Sequence, residues 1–257
     1  MILAIDCGNT HIAFGSVDEN GATEPILRIP TDRAETDFGY AAKIKQILSL
    51  YNITPSSFEG AVISCVVPPL TEILVRAIHI LTGYEALVVG AGVKTGLHIA
   101  INDPGTIAAD LVAAAVAAKE EYPLPCVIVD MGTATTVTVV DEKARYIGGA
   151  ILPGTMLSQQ ALSQGTALLP HIDAKPPRSA IATNTVESMK SGMIYGTAGA
   201  IDGLLDRFAE ELGREPASIV ATGGISALVC PHCRHTVTID ETLLMKGLWL
   251  IWKRNQK

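Results

Sequence analysis

The chain has 257 residues, of which 48% are hydrophobic and 18% charged, and its formal net charge is −7. That composition fits a globular protein of one large domain or two of about 125 residues, and with no lysine and arginine block beyond the closing "WKRNQK" it argues against a nucleic-acid surface. Apolar runs such as "DLVAAAVAA" stop well short of the ~20 residues of a membrane span, no basic leader precedes the first apolar run, and the five cysteines are odd in number and scattered. No membrane contact, no secretory signal and no disulfide framework are expected, and the cytoplasm is the default compartment.

The chain opens on "ILAIDCGNTHIAFGSVDE", which reads as an apolar strand, a turn at "DCGNT" and a strand of period two. "ENG" is a turn signal leading to a third strand near "ILRIP". "DFGYAAKIKQILSLY" then places Ile44, Ile47, Leu48 and Tyr51 on one helical face. "PPLTEILVRAIHILTG" has proline where a helix starts and glycine where it stops. "TIAADLVAAAVAAKEEY" is an alanine-rich helix built for close packing. "CVIVDMGTATTVTVVDE" repeats the opening pattern of strand, Asp-x-Gly, small polar residues, alternation and Val-Asp-Glu, and "DEKARYIGGAILPG" takes the place of the third strand. "NTVESMKSGMIYGTAGAIDGLLDRFAEELG" opens with Asn184 and Glu187 in capping-box spacing and runs on as a long helix. "SIVATGGIS" is a strand ending in Thr222, Gly223 and Gly224, and "DETLLMKGLWLIW" is a last helix with Asp240 as its expected cap. Halves that begin alike point to duplication, and they divide the chain into 1–117 and 118–257.

Alone, "DCGNT" is well explained as an ordinary turn, because Asp, Gly and Asn are common turn formers. Its echo in "DMGTATT" shifts the balance. Two such turns facing one another across a cleft offer backbone N–H groups and the hydroxyls of Thr10, Thr133 and Thr135 to a polyphosphate. Glycine is expected there for close approach and positive φ. A carboxylate does not bind phosphate directly, so Asp6 suggests magnesium held through water and Asp130 a second cation. The glycine pair after Thr222 offers a flat backbone to a base or ribose. Asp110, near a helix start in a small apolar segment, is either a charge worth about 0.3–1 kcal/mol to the helix or a base. Thr185 is equally a helix-start residue or a substrate contact, and His11 a phosphate contact or a surface group. "CPHCRH" sets Cys230, Cys233 and His235 at the spacing of half a zinc site with no second pair to complete it. The "GLWLIW" aromatics read as a core or dimer-packing stripe.

The three glycine-bearing segments resemble the first phosphate, second phosphate and adenosine motifs of the actin, sugar-kinase and heat-shock-chaperone ATPase superfamily. The whole chain resembles the bacterial type III pantothenate kinases through "DCGNT", "VISCVVPPL", "INDPGTIAAD", "DMGTATT", "GGAILPG", "NTVESMKSG" and "ATGG". The resemblance implies a duplicated α/β fold of the ribonuclease H-like type, two similar halves with a central cleft, acting as a homodimer. It implies transfer of the ATP γ-phosphate to the primary hydroxyl of pantothenate, the first step toward coenzyme A, with magnesium and a monovalent cation, potassium or ammonium.

By the same resemblance Asp6, Cys7, Gly8, Asn9, Thr10, His11, Ile12, Ala13, Gly132, Thr133, Thr135, Gly223 and Gly224 contact ATP. Asp130 holds the monovalent cation, and Ala108, Ala109, Asp110, Leu111 and Thr185 meet the acceptor. Asp110 is then the base for the hydroxyl proton. The family's segment is usually Gly-Ala-Asp-Arg, and Leu111 replaces that arginine here. Three outcomes stay open on sequence: another cation compensates, the acceptor is a different small alcohol, or the chain is a nucleotide-binding accessory protein with little turnover.

Overall fold

The computed structural model describes residues 1–256. In chain order the elements are β1 (Ile2–Cys7), β2 (His11–Val17), β3 (Thr23–Pro30), α1 (Asp37–Leu50), β4 (Ala61–Cys65), α2 (Pro68–Thr82), β5 (Leu87–Val88), β6 (His98–Ile99), α3 (Ala109–Glu121) and β7 (Cys126–Met131). Then follow β8 (Ala134–Val140), β9 (Arg145–Pro153), α4 (Thr155–Gly165), α5 (Thr185–Ser191), α6 (Thr197–Leu212), β10 (Ser218–Thr222), α7 (Ser226–Val229), β11 (Thr238–Ile239) and α8 (Leu243–Arg254).

The chain divides into two compact units. Unit 1 comprises residues 1–97, 102–120 and 242–257, and unit 2 residues 98–101 and 121–241. Unit 1 holds a five-stranded sheet in the order β3-β2-β1-β4-β5. Its first three strands are antiparallel, and β4 and β5 join in parallel. Unit 2 repeats that order as β9-β8-β7-β10-β11, with the same strand directions and β6 added beside β9. The likeness extends to single residues. β1 and β7 share one burial pattern, with only their fifth residue half-buried, and β2 and β8 share another. A register shift interrupts β2 between Gly15 and Val17 and β8 between Val139 and Val140. The duplication read from the sequence is therefore present in pairing, burial and bulge position alike.

Each sheet packs helices against β-branched and aliphatic side chains. In unit 1, Leu3, Ile5, Phe14 and Ile63 meet Tyr40, Ile44 and Leu48 of α1 and Leu70, Leu74 and Ile78 of α2. Burying one such side chain fully stabilises by about 1.5–3 kcal/mol. Thr36 caps α1 by accepting from Gly39 N at 3.1 Å. Proline opens α2 and Gly83, at φ 78°, closes it in the left-handed conformation, as the sequence signals. Unit 2 builds its own core from Val127, Val129, Val137 and Val139 with Ile194, Ile201 and Leu205.

Three local expectations give way. Tyr51 does not join the buried face of α1; the helix ends at Leu50 and Tyr51 is 52% exposed. Asp240 does not cap α8; Thr242 is the residue before it, and the Asp240 carboxylate accepts instead from the Tyr122 hydroxyl at 3.0 Å. The long glycine-punctuated helix keeps its path but not one geometry: α5 and α6 are joined by a π-helical turn over Gly192–Gly196, where the wider winding absorbs the register change. The Asn184 cap is as expected, accepting from Glu187 N at 3.0 Å, while the Glu187 carboxylate accepts from Arg178 N rather than from the cap backbone.

The last helix returns to unit 1, where it packs on β1, β2 and β4. Its aromatic stripe is a packing stripe within that unit: Trp249 lies over Gly21 and Trp252 over Gly60. No described helix is long and apolar enough to cross a membrane. Gly247 brings α8 against the backbone of α3, the helix that carries Asp110, so closely that a Cβ there would overlap the Ala113 carbonyl. Neither backbone has room to give, and Gly247→Ala is expected to destabilise the protein by about 1–3 kcal/mol, read as a lower midpoint in urea with an unchanged slope.

Candidate functional site

In unit 1 the turn between β1 and β2 is braced on three sides. Gly8 N donates to His11 O at 3.0 Å, Thr31 N donates to Thr10 O at 3.0 Å, and the Thr31 hydroxyl donates to Gly8 O at 2.7 Å. Arg33 Nη2 donates to the Asn9 side-chain oxygen at 3.2 Å. Asn9, Thr10 and His11 are exposed around the turn, whereas the side chains of Cys7 and Ile12 are wholly buried, so those two present only backbone to a ligand. Asp6 stands one position earlier, half-buried, flanked in register by Ala13 of β2 and Ser64 of β4. The Ser64 hydroxyl is buried without a hydrogen-bond partner among the described residues.

The glycines of the two turns do not use the left-handed conformation expected of them; the positive φ in this region belongs to Gly223, at 93°. Gly8 is needed for space, since a Cβ would sit 3.2 Å from the His11 carbonyl oxygen, and Gly132 has ordinary clearance.

Unit 2 brings four of the sequence candidates together. Parallel pairing of β10 with β7 sets Thr222 beside Asp130, and antiparallel pairing sets Thr136 on the other side. Neighbours in register point to one face of a sheet, so Asp130, Thr136 and Thr222 form a cluster of oxygens, and the Thr136 hydroxyl is buried without a partner among the described residues. One step on, Gly223 lies against the backbone of Met131: a Cβ there would come 2.5 Å from the Met131 carbonyl oxygen. Gly154, at the end of β9, is as close to the carbonyls of Gly132 and Thr133, and its N–H donates to Thr133 O at 3.1 Å. Asp130, Gly132, Thr133 and Gly223 thus share one backbone cradle, with Gly224 exposed at its edge.

A cavity of about 490 Å³ adjoins this region within unit 2. It joins two residues that the sequence names separately, Thr135 and Thr185, and adds Thr155, Gln159 and Met189. The Thr135 and Thr155 hydroxyls and the Gln159 carbonyl oxygen are buried without partners among the described residues. Each such group costs about 1–3 kcal/mol unless something bonds it. A mostly apolar hollow with a few unmet polar atoms is how small-molecule sites are made. Thr155 and Gln159 escaped the sequence reading; the signal available was the polar start of the helix after "ILPG".

Asp110 belongs to unit 1. Asp103 accepts from Gly105 N at 3.2 Å, closing the short turn Pro104–Thr106 that leads into α3. Ala108, Ala109, Asp110 and Leu111 are all half-buried. Asp110 Oδ1 accepts from Leu111 N at 2.7 Å. Burial holds its carboxyl above the usual aspartate range, the backbone N–H groups of Leu111 and of Asp110 itself pulling it back in part. No cationic side chain figures among the causes. Desolvation of this kind favours the protonated form of a carboxyl.

The zinc spacing at Cys230, Cys233 and His235 does not close into a site. His235 Nε2 pairs with Asp206 Oδ1 at 2.8 Å, and among the described residues no three His, Cys, Asp or Glu side chains are placed to hold a metal.

Comparison with known proteins bears on this geometry. A profile of the family described as type III pantothenate kinase matches residues 2–207. A type III pantothenate kinase of Exiguobacterium sp. is 40% identical over 257 residues, which is 100% of both chains. Two nucleotide-bound structures share the fold at low identity. The 2-hydroxyisocaproyl-CoA dehydratase activator of Clostridium difficile with ADPNP has a TM-score of 0.56 and 11% identity, covering 98% of this chain and 94% of its own. A ROK family glucokinase of Streptomyces griseus with glucose and AMPPNP has a TM-score of 0.54 and 12% identity, covering 98% and 99%. The fold is thus the ribonuclease H-like one of the sugar kinases and related ATPases.

Gly223→Ala tests the cradle directly. A side chain at φ 93° is strained and also meets Met131, so the variant is expected to lose about 1–3 kcal/mol of stability, with added exposure of the β7–β10 edge visible by hydrogen exchange.

Proposed function

This chain belongs to the type III pantothenate kinase family, and on that premise we propose that it moves the γ-phosphate of ATP to the primary hydroxyl of pantothenate, with Asp110 accepting the hydroxyl proton. The observation that carries the reading is the phosphate turn built twice, with Asp6 and Asp130 at the same position of strands that share order, direction and burial.

Phosphoryl transfer asks little covalent chemistry of a protein and much positioning and charge neutralisation. The backbone amides and hydroxyls at Gly8, Asn9, Thr10 and His11, with Ala13 behind them, serve one end of the triphosphate. Those at Gly132, Thr133 and Thr135 serve the other, and Gly223 and Gly224 give the adenosine a flat backbone. In a chain of net charge −7 these local donors work against the overall field. Asp6 beside Ser64 is the carboxylate that would hold hydrated magnesium, which when bound neutralises phosphate charge. Asp130, Thr136 and Thr222 supply the oxygen-only set that suits potassium or ammonium. Asp110 orients the acceptor hydroxyl and takes its proton, with Ala108, Ala109 and Leu111 forming the small apolar wall around it. Leu111 in place of arginine removes the cation that would lower the Asp110 pKa, in keeping with a carboxyl held high by burial.

A second copy of the chain is the proposed partner. Leu162 lines the cavity that also contains Thr185, and it is 48% exposed; Leu157, Leu168 and Ile181 of the same unit are 46%, 89% and 88% exposed. Apolar side chains exposed in such number mark an association surface, and covering them would place Thr185 and its cavity at a dimer face. Sedimentation is expected to show a dimer, and Leu157→Glu with Leu162→Glu a monomer. The cytoplasm, where ATP and pantothenate are both found, is the proposed compartment.

The deciding measurement is ADP release by purified protein with magnesium and potassium. Release that depends on pantothenate supports the proposal, and ATP binding without it defeats the proposal. Asp110→Asn is expected to lower turnover by about 10²–10⁴-fold. Its stability should move the other way. Because folding raises the Asp110 pKa, the ionised carboxylate costs stability above that pKa and nothing below the unfolded value. The Asn variant should therefore melt no lower than the parent at pH 7, with any gain shrinking as the pH falls toward the ordinary aspartate range.

A further inference from the structure

The segment "CPHC" at Cys230–Cys233 lies outside the residues given a role above, and among the described residues no three His, Cys, Asp or Glu side chains are placed to hold a metal. Pro231 starts a short 3-10 turn over Cys230–His232, and Cys233 N donates to Cys230 O at 3.0 Å. A turn closed in that way holds its first and fourth Cα atoms within about 7 Å, and disulfides span about 4.4–6.8 Å. Interaction between the two thiols favours the thiolate at Cys230, pulling it below its usual range, and pushes the Cys233 thiol up. Cys230 is buried and Cys233 half-buried, so the pair meets solvent through Cys233.

The turn is anchored unequally. On its far side the Asp202 carboxylate, itself buried, accepts from Arg234 N at 3.0 and 2.9 Å and from His235 N at 3.4 Å, and the His232 ring stands edge-on to Tyr195 at 5.2 Å. On its near side Cys230 Sγ lies 3.9 Å from Met131 Sδ. Met131 is the residue between Asp130 and Gly132, and its backbone is what Gly223 rests on. A displacement of Cys230 toward Cys233 therefore leaves the Asp202 anchor in place and withdraws a contact from beneath both glycine motifs of unit 2.

We propose that Cys230 and Cys233 are a thiol–disulfide pair whose closure resets the backbone of the Met131–Gly132 and Gly223–Gly224 segments. The oxidant class is a small hydroperoxide. Cys233, the thiol that meets solvent, attacks it as its thiolate; the O–O bond breaks, one oxygen stays on sulfur as a sulfenic acid, and the other leaves as water after taking up a proton. The Cys230 thiol then attacks that sulfur, and the oxygen departs as a second water with the Cys230 proton. Two thiols and one hydrogen peroxide give one disulfide and two waters, and a dithiol reductant reverses the change. The consequence for ATP rests on the kinase reading above; the thiol chemistry does not.

The test treats the full chain with hydrogen peroxide and then with dithiothreitol. It maps blocked thiols with N-ethylmaleimide after denaturation and follows amide exchange. The expected result is a disulfide in the 230–233 peptide and three of the five cysteines still reactive. Altered exchange is expected at 129–133 and 221–226, and ATP binding weaker on the order of tenfold, all restored by dithiothreitol. Cys233→Ser should show none of these changes, and Cys233→Ala provides the same comparison should serine disturb the core. Full alkylation of both residues after oxidation, a bond between Cys7 and Cys65 instead, or a 230–233 disulfide with unchanged exchange would each overturn the proposal. A chain that binds ATP in neither state defeats the kinase reading, and the thiol map and exchange still decide the pair.

Discussion

The constraint on which the molecule depends is that its two central strands must be apolar on both faces and still deliver a carboxylate to the strand end. β1 and β7 each sit between an antiparallel neighbour and a parallel one, and all but the fifth residue of each is buried. A strand in that place reads as a nearly continuous apolar run, which is why "ILAI" and "CVIV" carry no polar residue before Asp6 and Asp130. The carboxylate sits at the one half-buried position of each strand, one residue before the strand ends. Lengthening either strand by one residue would put the acid on the opposite face of the sheet. Position and chemistry are thus fixed by the same register.

Asp110 solves a different problem. It has no strand to hold it and lies in the first turn of α3, after the turn closed by Asp103. The closing helix of the chain, remote in sequence, packs through Gly247 against Ala113 of the same helix. Burial raises the proton affinity of that carboxyl, and keeping it ionised costs folding free energy above its pKa. A neighbouring guanidinium would recover part of the cost and lower the basicity. With Leu111 beside it, Asp110 keeps both.

Much of this was legible in the sequence because it is local. Period-two alternation, the Asp-x-Gly repeat, the proline and glycine bounding α2 and the Asn184 cap each depend on residues a few positions apart, and each appears where the pattern puts it. The family resemblance, carried by short segments spread over nearly the whole chain, is matched by the family profile and by a full-length relative. What escaped was set by contacts between distant segments. Asp240 is claimed by Tyr122, and α8 packs on the first sheet instead of the second. Thr155 and Gln159 look like ordinary helix-surface residues until the folding of α4 over unit 2 buries them. No window of sequence contains both the residue and the surface that buries it.

The duplicated halves also diverge at one place. Through the third strand they match element for element; afterwards unit 1 proceeds to α1, an amphipathic cover for its sheet, whereas unit 2 inserts α4, the segment up to Asn184 and α5 before its own cover α6. The cavity with its three unmet polar atoms, the exposed apolar side chains and the π-helical turn all lie in or against that insertion. A turn wound wider than an α-helix sets the helices on either side out of register and opens room between them, and here that room is lined by Gly192, Met193 and Gly196. The repeated sheets supply the same strand order and turn twice. The insertion has no counterpart in unit 1, and the hollow against it carries polar atoms that a small molecule could satisfy.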